Sequence, residues 1–209
     1  ARRAATALEA TLAMRHESIA ALIVEPLVQG ATGMAMHDPE YLRLARALCD
    51  RYRVHLIADE IMVGFGRTGT LFAHEQAGVH PDFLCLSKGL TGGYLPLSVV
   101  LTTEDVFAAF YDDAVTQGFL HSHSYTGNPL ACRAALATLD LFAEDDVLVR
   151  NRRFAERFTA LLAPLAHHPQ ARHFRHRGMI WAVDIATDDP DFRPRFYRAA
   201  LQQIGRASC

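Results

Sequence analysis

The chain has 209 residues, half of them apolar, with 21 basic and 23 acidic side chains and a formal charge of −2. That composition belongs to a globular chain of one large domain, or one domain and part of another, and excludes a disordered or fibrous one. The near-neutral balance excludes the clustered basic surface of a nucleic-acid binder, and the apolar runs at 20–24 and 97–101 are far shorter than the ~20 residues of a membrane helix.

In chain order, residues 4–17 read as a helix, with Leu8 and Leu12 at helical spacing. Residues 20–25 are a nearly all-apolar strand of the kind covered on both faces. Asp38 and Pro39 then open a helix as N-cap and first helical residue, and Tyr41, Leu42, Ala45 and Leu48 form its apolar stripe. Further strands are predicted at 54–58, 83–86 and 97–101, and a strongly apolar helix at 129–142. A charged helix at 148–162, a His/Pro-rich connector at 164–169, a strand pair near 173–184 and a helix at 192–203 follow. Strands alternating with helices predict an α/β fold, mostly parallel, with helices on both faces of the sheet. The change of character near 145 predicts two domains: 1–145 as the C-terminal part of a large domain, and 146–209 as the incomplete start of a small α+β one. The chain opens Ala1-Arg2-Arg3 and closes Gly205-Arg206-Ala207-Ser208-Cys209, which reads as a piece of a longer fold with a non-native tail.

The four cysteines (Cys49, Cys85, Cys132, Cys209) have no C-x-x-C spacing and read as thiols of a reducing, cytoplasmic compartment rather than disulfides or zinc ligands. Twenty of the 21 basic residues are Arg, and Lys88 is the single Lys. An amine can lose its proton and attack a carbonyl, whereas a guanidinium cannot. Three predicted strands end in polar residues, at Glu25, at Asp59-Glu60 and at Ser87-Lys88, on the edge where open α/β sheets bind ligands. Asp59 reads as an anion facing a cationic ligand group; Glu60 and Glu25 could equally cap loops. Residues 64–69 spell G-x-G-x-x-G, but they start five residues past the strand and no helix follows, so they read as a Gly-rich active-site loop rather than a dinucleotide fingerprint. His121 and His123 have metal-ligand spacing without a third ligand, and no metal is expected. The hydroxyls at 124–126, just before the helix at Pro129, read either as a phosphate seat or as a cap without ligand. Arg152, Arg153, His167, His168 and Arg172 read as solvated. Together, a lone amine, an acid at a strand end and a hydroxyl-rich helix start suggest pyridoxal phosphate.

The segments I-V-E-P-L-V-Q-G-A-T-G-M (23–34), L-I-A-D-E-I-M-V-G-F-G-R-T-G (56–69) and P-D-F-L-C-L-S-K-G-L-T-G-G (81–93) resemble the class III aminotransferases of pyridoxal phosphate fold type I. Y-L-P-L-S-V-V-L-T-T (94–103) and H-S-Y-T-G-N-P-L-A-C (123–132) resemble its biotin-pathway branch. The resemblance implies a transaminase with pyridoxal 5'-phosphate as cofactor, a small-molecule amino donor (S-adenosylmethionine in that branch) and a keto acceptor. It also implies a homodimer with its active site at the subunit interface. Lys88 would hold the cofactor and shuttle the proton, Asp59 would face the ring nitrogen, Ile61 would pack on the ring, and Ser124 would reach the phosphate. Ser122 and His123 would line the substrate pocket, and Glu25 and Arg67 would lie at the reacting end of the substrate, Glu25 also beside the cofactor. Other class III enzymes, acting on ω-amino acids or diamines, remain an alternative, as does an inactive or nucleotide-binding piece.

Overall fold

The computed structural model describes residues 1–204; the expected tail at Arg206–Cys209 lies outside them. Its elements are α1 (Arg2–Arg15), β1 (Ala21–Val24), β2 (Val28–Gln29), β3 (Ala35–Met36), α2 (Pro39–Tyr52), β4 (His55–Asp59), β5 (Phe83–Leu86), β6 (Val99–Thr102), α3 (Glu104–Ala108), α4 (Pro129–Glu144), α5 (Val147–Ala166), β7 (Ala171–Arg177), β8 (Ile180–Ile185) and α6 (Phe192–Ile204). The main sheet runs β1-β4-β5-β6, with the first three strands parallel and β6 antiparallel to β5. β2 pairs with β3, and β7 with β8, as separate antiparallel hairpins.

Helix α2 shows how the sequence dictates the packing. Asp38 accepts the Glu40 N–H at 2.8 Å and Pro39 occupies the first turn, a cap worth about 1 kcal/mol. Leu42, Ala45, Leu48 and Cys49 then fall on one buried face. Leu42 and Cys49 pack with Val24 of β1 and Leu56 of β4, and burying Leu42 or Leu56 fully contributes roughly 1.5–3 kcal/mol each. Burial pushes the Cys49 thiol up to about 11, so it is an inert core residue. On the outer side of α2, α1 seats Leu12 and Ala5 against Leu48 and Val54.

Asp82, just before β5, ties α2 to the sheet. Its carboxylate accepts the Leu56 N–H at 2.6 Å and the Arg46 guanidinium at 2.7 Å. Burial alone would raise this carboxyl; the Arg46 hydrogen bond, the Leu56 N–H and the charges of Arg46 and His55 outweigh burial and hold it below its ordinary value.

Two expected boundaries shift. The strand expected at 97–101 begins at Val99, because the Leu97 carbonyl accepts from Ser87 Oγ at 2.7 Å and the Leu95 carbonyl from Thr91 Oγ1 at 2.6 Å. Those side-chain bonds compete with ladder pairing and hold 95–97 as a loop. The connector expected from Pro164 is instead the last turn of α5, which continues to Ala166. Pro164 has no N–H to give the carbonyl four residues before it, so this turn continues with one ladder bond fewer.

Candidate active site

The three parallel strands deliver their polar ends to one edge. Val24 pairs with Ala58 in register, and Asp59 pairs with Cys85. Glu25 therefore leaves β1, Asp59 closes β4, and Ser87-Lys88 leaves β5, all on the carboxyl side of adjacent strands. This is the edge at which open α/β sheets place their ligands.

Lys88 is exposed and takes the left-handed conformation, with φ +41°, at the start of a 3-10 turn, Lys88–Thr91. A left-handed non-glycine residue is costly and persists where the surrounding structure fixes it, and functional sites are among the places where such residues cluster. Here the surroundings do fix it. Ser87 holds the Leu97 carbonyl on one side, and Phe65 of the Gly-rich loop packs onto Gly89 on the other. A Cβ at Gly89 would sit 2.8 Å from Phe65 Cβ, so only glycine lets the loop close on the lysine turn.

The adjacent acids Asp59 and Glu60 have opposite fates. Asp59 is half-buried and its Oδ1 accepts the Ile61 N–H at 3.1 Å. The Cys85 thiol opposite is raised, first by burial and then by the Asp59 charge. Asp59 forms no ion pair among the described residues, and neither does Lys88, so the acid and the amine are both available to a ligand. Glu60 is fully buried. Its carboxylate accepts the Ala73 N–H at 2.6 Å, the His74 N–H at 2.8 Å and His74 Nδ1 at 2.7 Å. It pins the far end of the Gly-rich loop, so of its two expected roles the loop anchor is the observed one. The loop runs in turns, with no helix opening at Gly69.

Glu25 is half-buried, and its Oε2 accepts the Gly30 N–H at 3.0 Å. Arg67 is exposed on the Gly-rich loop, its carbonyl accepting the Met179 N–H at 2.7 Å. Ile61 is half-buried beside Asp59. Ser122, His123 and Ser124 all lie on an exposed segment before α4. His123 lines a cleft of about 690 Å³ together with Ser87, Leu97, Tyr125, Thr126 and Asn128, which brings this segment to the lysine strand. The cap of α4 is Asn128, whose Oδ1 accepts the Leu130 and Ala131 N–H groups at 3.0 and 3.2 Å. Those two amides are thus taken, and an anion here relies on hydroxyls such as Ser124. Among the described residues no three His, Cys, Asp or Glu side chains converge as a metal site, and no helix is long and apolar enough to cross a membrane.

Sequence reasoning missed three anchors: His74 under Glu60, Arg46 under Asp82, and the Ser87 and Thr91 hydroxyls under residues 95–97. The second acid directly after the strand-ending Asp59 was the one local signal for the first; nothing local signalled the others.

The Aminotransferase class-III family model matches residues 1–204. The adenosylmethionine-8-amino-7-oxononanoate aminotransferase of Nitratidesulfovibrio vulgaris is 50% identical over 180 residues, which are 84% of this chain and 33% of that protein. The enzyme of the same name from Helicobacter pylori is 45% identical over 184 residues, 86% of this chain and 42% of that one. Among solved structures, a thermostable (S)-enantioselective omega-transaminase from Thermomicrobium roseum superposes with a TM-score of 0.88 at 32% identity, over 97% of this chain and 47% of its own. The chain thus spans less than half the length of these relatives. With the strand-end lysine and aspartate, the Gly-rich loop and the family match all falling on one fold, the chain belongs to the class III aminotransferases.

Proposed function

We propose that the enzyme containing this chain transfers an amino group to 8-amino-7-oxononanoate, giving 7,8-diaminononanoate in biotin biosynthesis, with S-adenosylmethionine as donor and pyridoxal 5'-phosphate as cofactor. The observation that carries the chemistry is the pair of unengaged groups on adjacent strand ends, the Lys88 amine and the Asp59 carboxylate. The substrate assignment rests on the relatives named above.

The residues fit this cofactor. Its aldehyde needs a primary amine, and Lys88 supplies the chain's single side-chain one on a turn that Ser87 and Gly89 hold in place. Its ring nitrogen needs a carboxylate, and Asp59 is fixed through Oδ1 with Oδ2 outside that bond. Ile61 offers an apolar side to the ring, and Ser124 a hydroxyl to the phosphate; Glu25 stands at the same edge. When bound, the cofactor supplies an electron sink and a temporary carrier for the nitrogen. Lys88 Nζ anchors it and moves the substrate proton. Asp59 keeps the ring nitrogen protonated by its negative charge. Ser122, His123, Arg67 and Glu25 bind and orient the substrate.

The chemistry is tested by borohydride trapping. The full-length enzyme is incubated with pyridoxal phosphate, reduced and digested, and the peptide masses are read. A pyridoxyl adduct on the Lys88 peptide is expected, lost together with transamination in Lys88→Arg, which keeps the charge and removes the nucleophilic amine. Transamination surviving in Lys88→Arg refutes the mechanism. For the substrate, a donor series of S-adenosylmethionine, alanine and 4-aminobutyrate is decisive: preference for either of the latter points to the ω-amino acid or diamine enzymes instead.

We further infer a domain boundary near Asp145, with residues 1–145 in the large cofactor domain and those from 146 onward in a small domain. The left-handed Asp146, φ +49°, between α4 and α5 supports it. We also infer a cytoplasmic homodimer with the site at its interface. In line with this, Tyr94, Tyr111, Leu120, Tyr125 and Leu130 are each more than 70% exposed on the stretch that leads into the cleft, an apolar surface that calls for cover by the rest of the enzyme or by a second subunit. A monomeric full-length enzyme in sedimentation equilibrium refutes the dimer.

A further inference from the structure

The β7–β8 hairpin lies beyond every residue assigned to the site, yet it grips both loops that bear the proposed substrate-facing side chains. On one side its turn meets the Gly-rich loop. The Met179 N–H donates to the Arg67 carbonyl at 2.7 Å. Gly178, left-handed at φ +55°, lies so close that a Cβ there would be 2.5 Å from the Arg67 oxygen, 2.5 Å from the Thr68 carbonyl carbon and 2.8 Å from the Gly69 nitrogen. All three are backbone atoms, which cannot swing aside as a side chain could. On the other side Arg175 reaches the β2–β3 turn, whose Gly30 N–H donates to Glu25 Oε2 at 3.0 Å, so that residues 25–34 act as one Glu25 loop. Its Nε donates to the Met34 carbonyl at 3.0 Å, and its Nη2 donates to the Gly33 carbonyl and to Asp184 Oδ1, the latter at 3.1 Å.

The loop held by Arg175 is itself conformationally strained. Leu27 and Met34 are both left-handed, at φ +67° and +58°, which non-glycine residues adopt only when held there. Ile180, the first residue of β8, completes the restraint by packing in a core with Leu27, Val28, Val63 and Ala73, so one hairpin touches the Glu25 loop and the Gly-rich loop through the same cluster.

We infer that the β7–β8 hairpin is a positioning device that sets the backbone of Arg67 through Gly178 and that of the Glu25 loop through Arg175, and so fixes the separation of the two substrate-facing groups. This rests on the reading of Arg67 and Glu25 as substrate-binding. Both residues sit on loops, and loops hold a binding geometry only when a rigid element braces them.

The test is a pair of double-mutant cycles in the full-length holoenzyme, read as kcat and KM for 8-amino-7-oxononanoate, with cofactor stoichiometry measured alongside. Gly178→Ala is expected to raise KM about tenfold or more while cofactor content stays at wild-type level, and to add less than twofold in an Arg67→Ala background. Arg175→Gln is expected to behave likewise against Glu25→Gln, with Arg175→Lys intermediate, because it keeps the charge but loses the forked reach to two carbonyls. If Gly178→Ala gives no folded enzyme, the Arg175 cycle alone decides. Factors that multiply independently in both backgrounds, or a loss of cofactor in step with activity, overturn the inference and leave the hairpin a structural brace only. If Arg67→Ala and Glu25→Gln each leave kcat and KM unchanged, the substrate-binding reading fails first, and the hairpin inference with it. Effects in these two that are additive with the hairpin variants sink the inference alone.

Discussion

Replacing Glu60 with alanine probes the least expected feature of the site's support. Glu60 is fully buried, and its two oxygens accept three hydrogen bonds of 2.6–2.8 Å from Ala73 and His74. Hydrogen bonds to a charged group contribute roughly 1.5–3 kcal/mol each, and deleting one partner of a buried polar network leaves the others desolvated and unmatched, at about 3–5 kcal/mol in total. Glu60→Ala is therefore expected to cost about 3–5 kcal/mol in the loop that returns to Ala73. Glu60→Gln keeps one acceptor and turns an amide N–H₂ toward a donor, for about 2 kcal/mol. Amide exchange of the Ala73 and His74 N–H groups reads the local effect directly, and at 1.4 kcal/mol per tenfold the alanine variant should lose about a hundredfold of protection or more. Because Gly64 approaches the Glu60 carbonyl so closely that a Cβ would be 2.8 Å away, the loosened anchor should also free the Gly-rich loop. Protection in Glu60→Ala within about threefold of wild type would refute this account of the loop.

Two further outcomes test the fold. The Asp82 carboxyl titrates below its ordinary value when folded, so its contribution to stability is complete above the unfolded value of about 3.9 and drains away as the pH falls through the lower folded value. Asp82→Asn should lower the denaturation midpoint at pH 7, and the gap to wild type should close below about pH 4; a gap that stays constant from pH 7 to pH 3 contradicts the assignment. Leu56→Ala, at a position with no solvent exposure, should cost about 2–5 kcal/mol, whereas Val100→Ala on the 61%-exposed side of β6 should stay within about 0.5 kcal/mol; equal losses in a melting experiment contradict the placement of the core.

The family was legible in the sequence because its chemistry is written in contiguous segments. A lone lysine after an apolar strand, an aspartate at the end of another and a Gly-rich stretch need only local order to be recognised, and the strands carrying them were placed to within a residue or two. The Asp38-Pro39 start of α2 was equally local, since a cap and its first turn lie within three residues of each other.

What the sequence could not determine is who braces whom. Asp59 and Glu60 are neighbours of the same charge, and only the return of the chain at Ala73–His74 makes one a buried anchor and leaves the other at the sheet edge. Strand β6 was legible as a strand, but its antiparallel direction is set by its pairing with β5, and its late start at Val99 and the loop before it by hydroxyls ten and four residues upstream. The grip of Gly178 on Arg67 spans more than a hundred residues. Local propensity and hydrophobic period decide what each segment is; contacts between segments distant in the chain decide which polar groups are buried, which are held and which are left for a substrate, and those contacts exist only once the chain has folded.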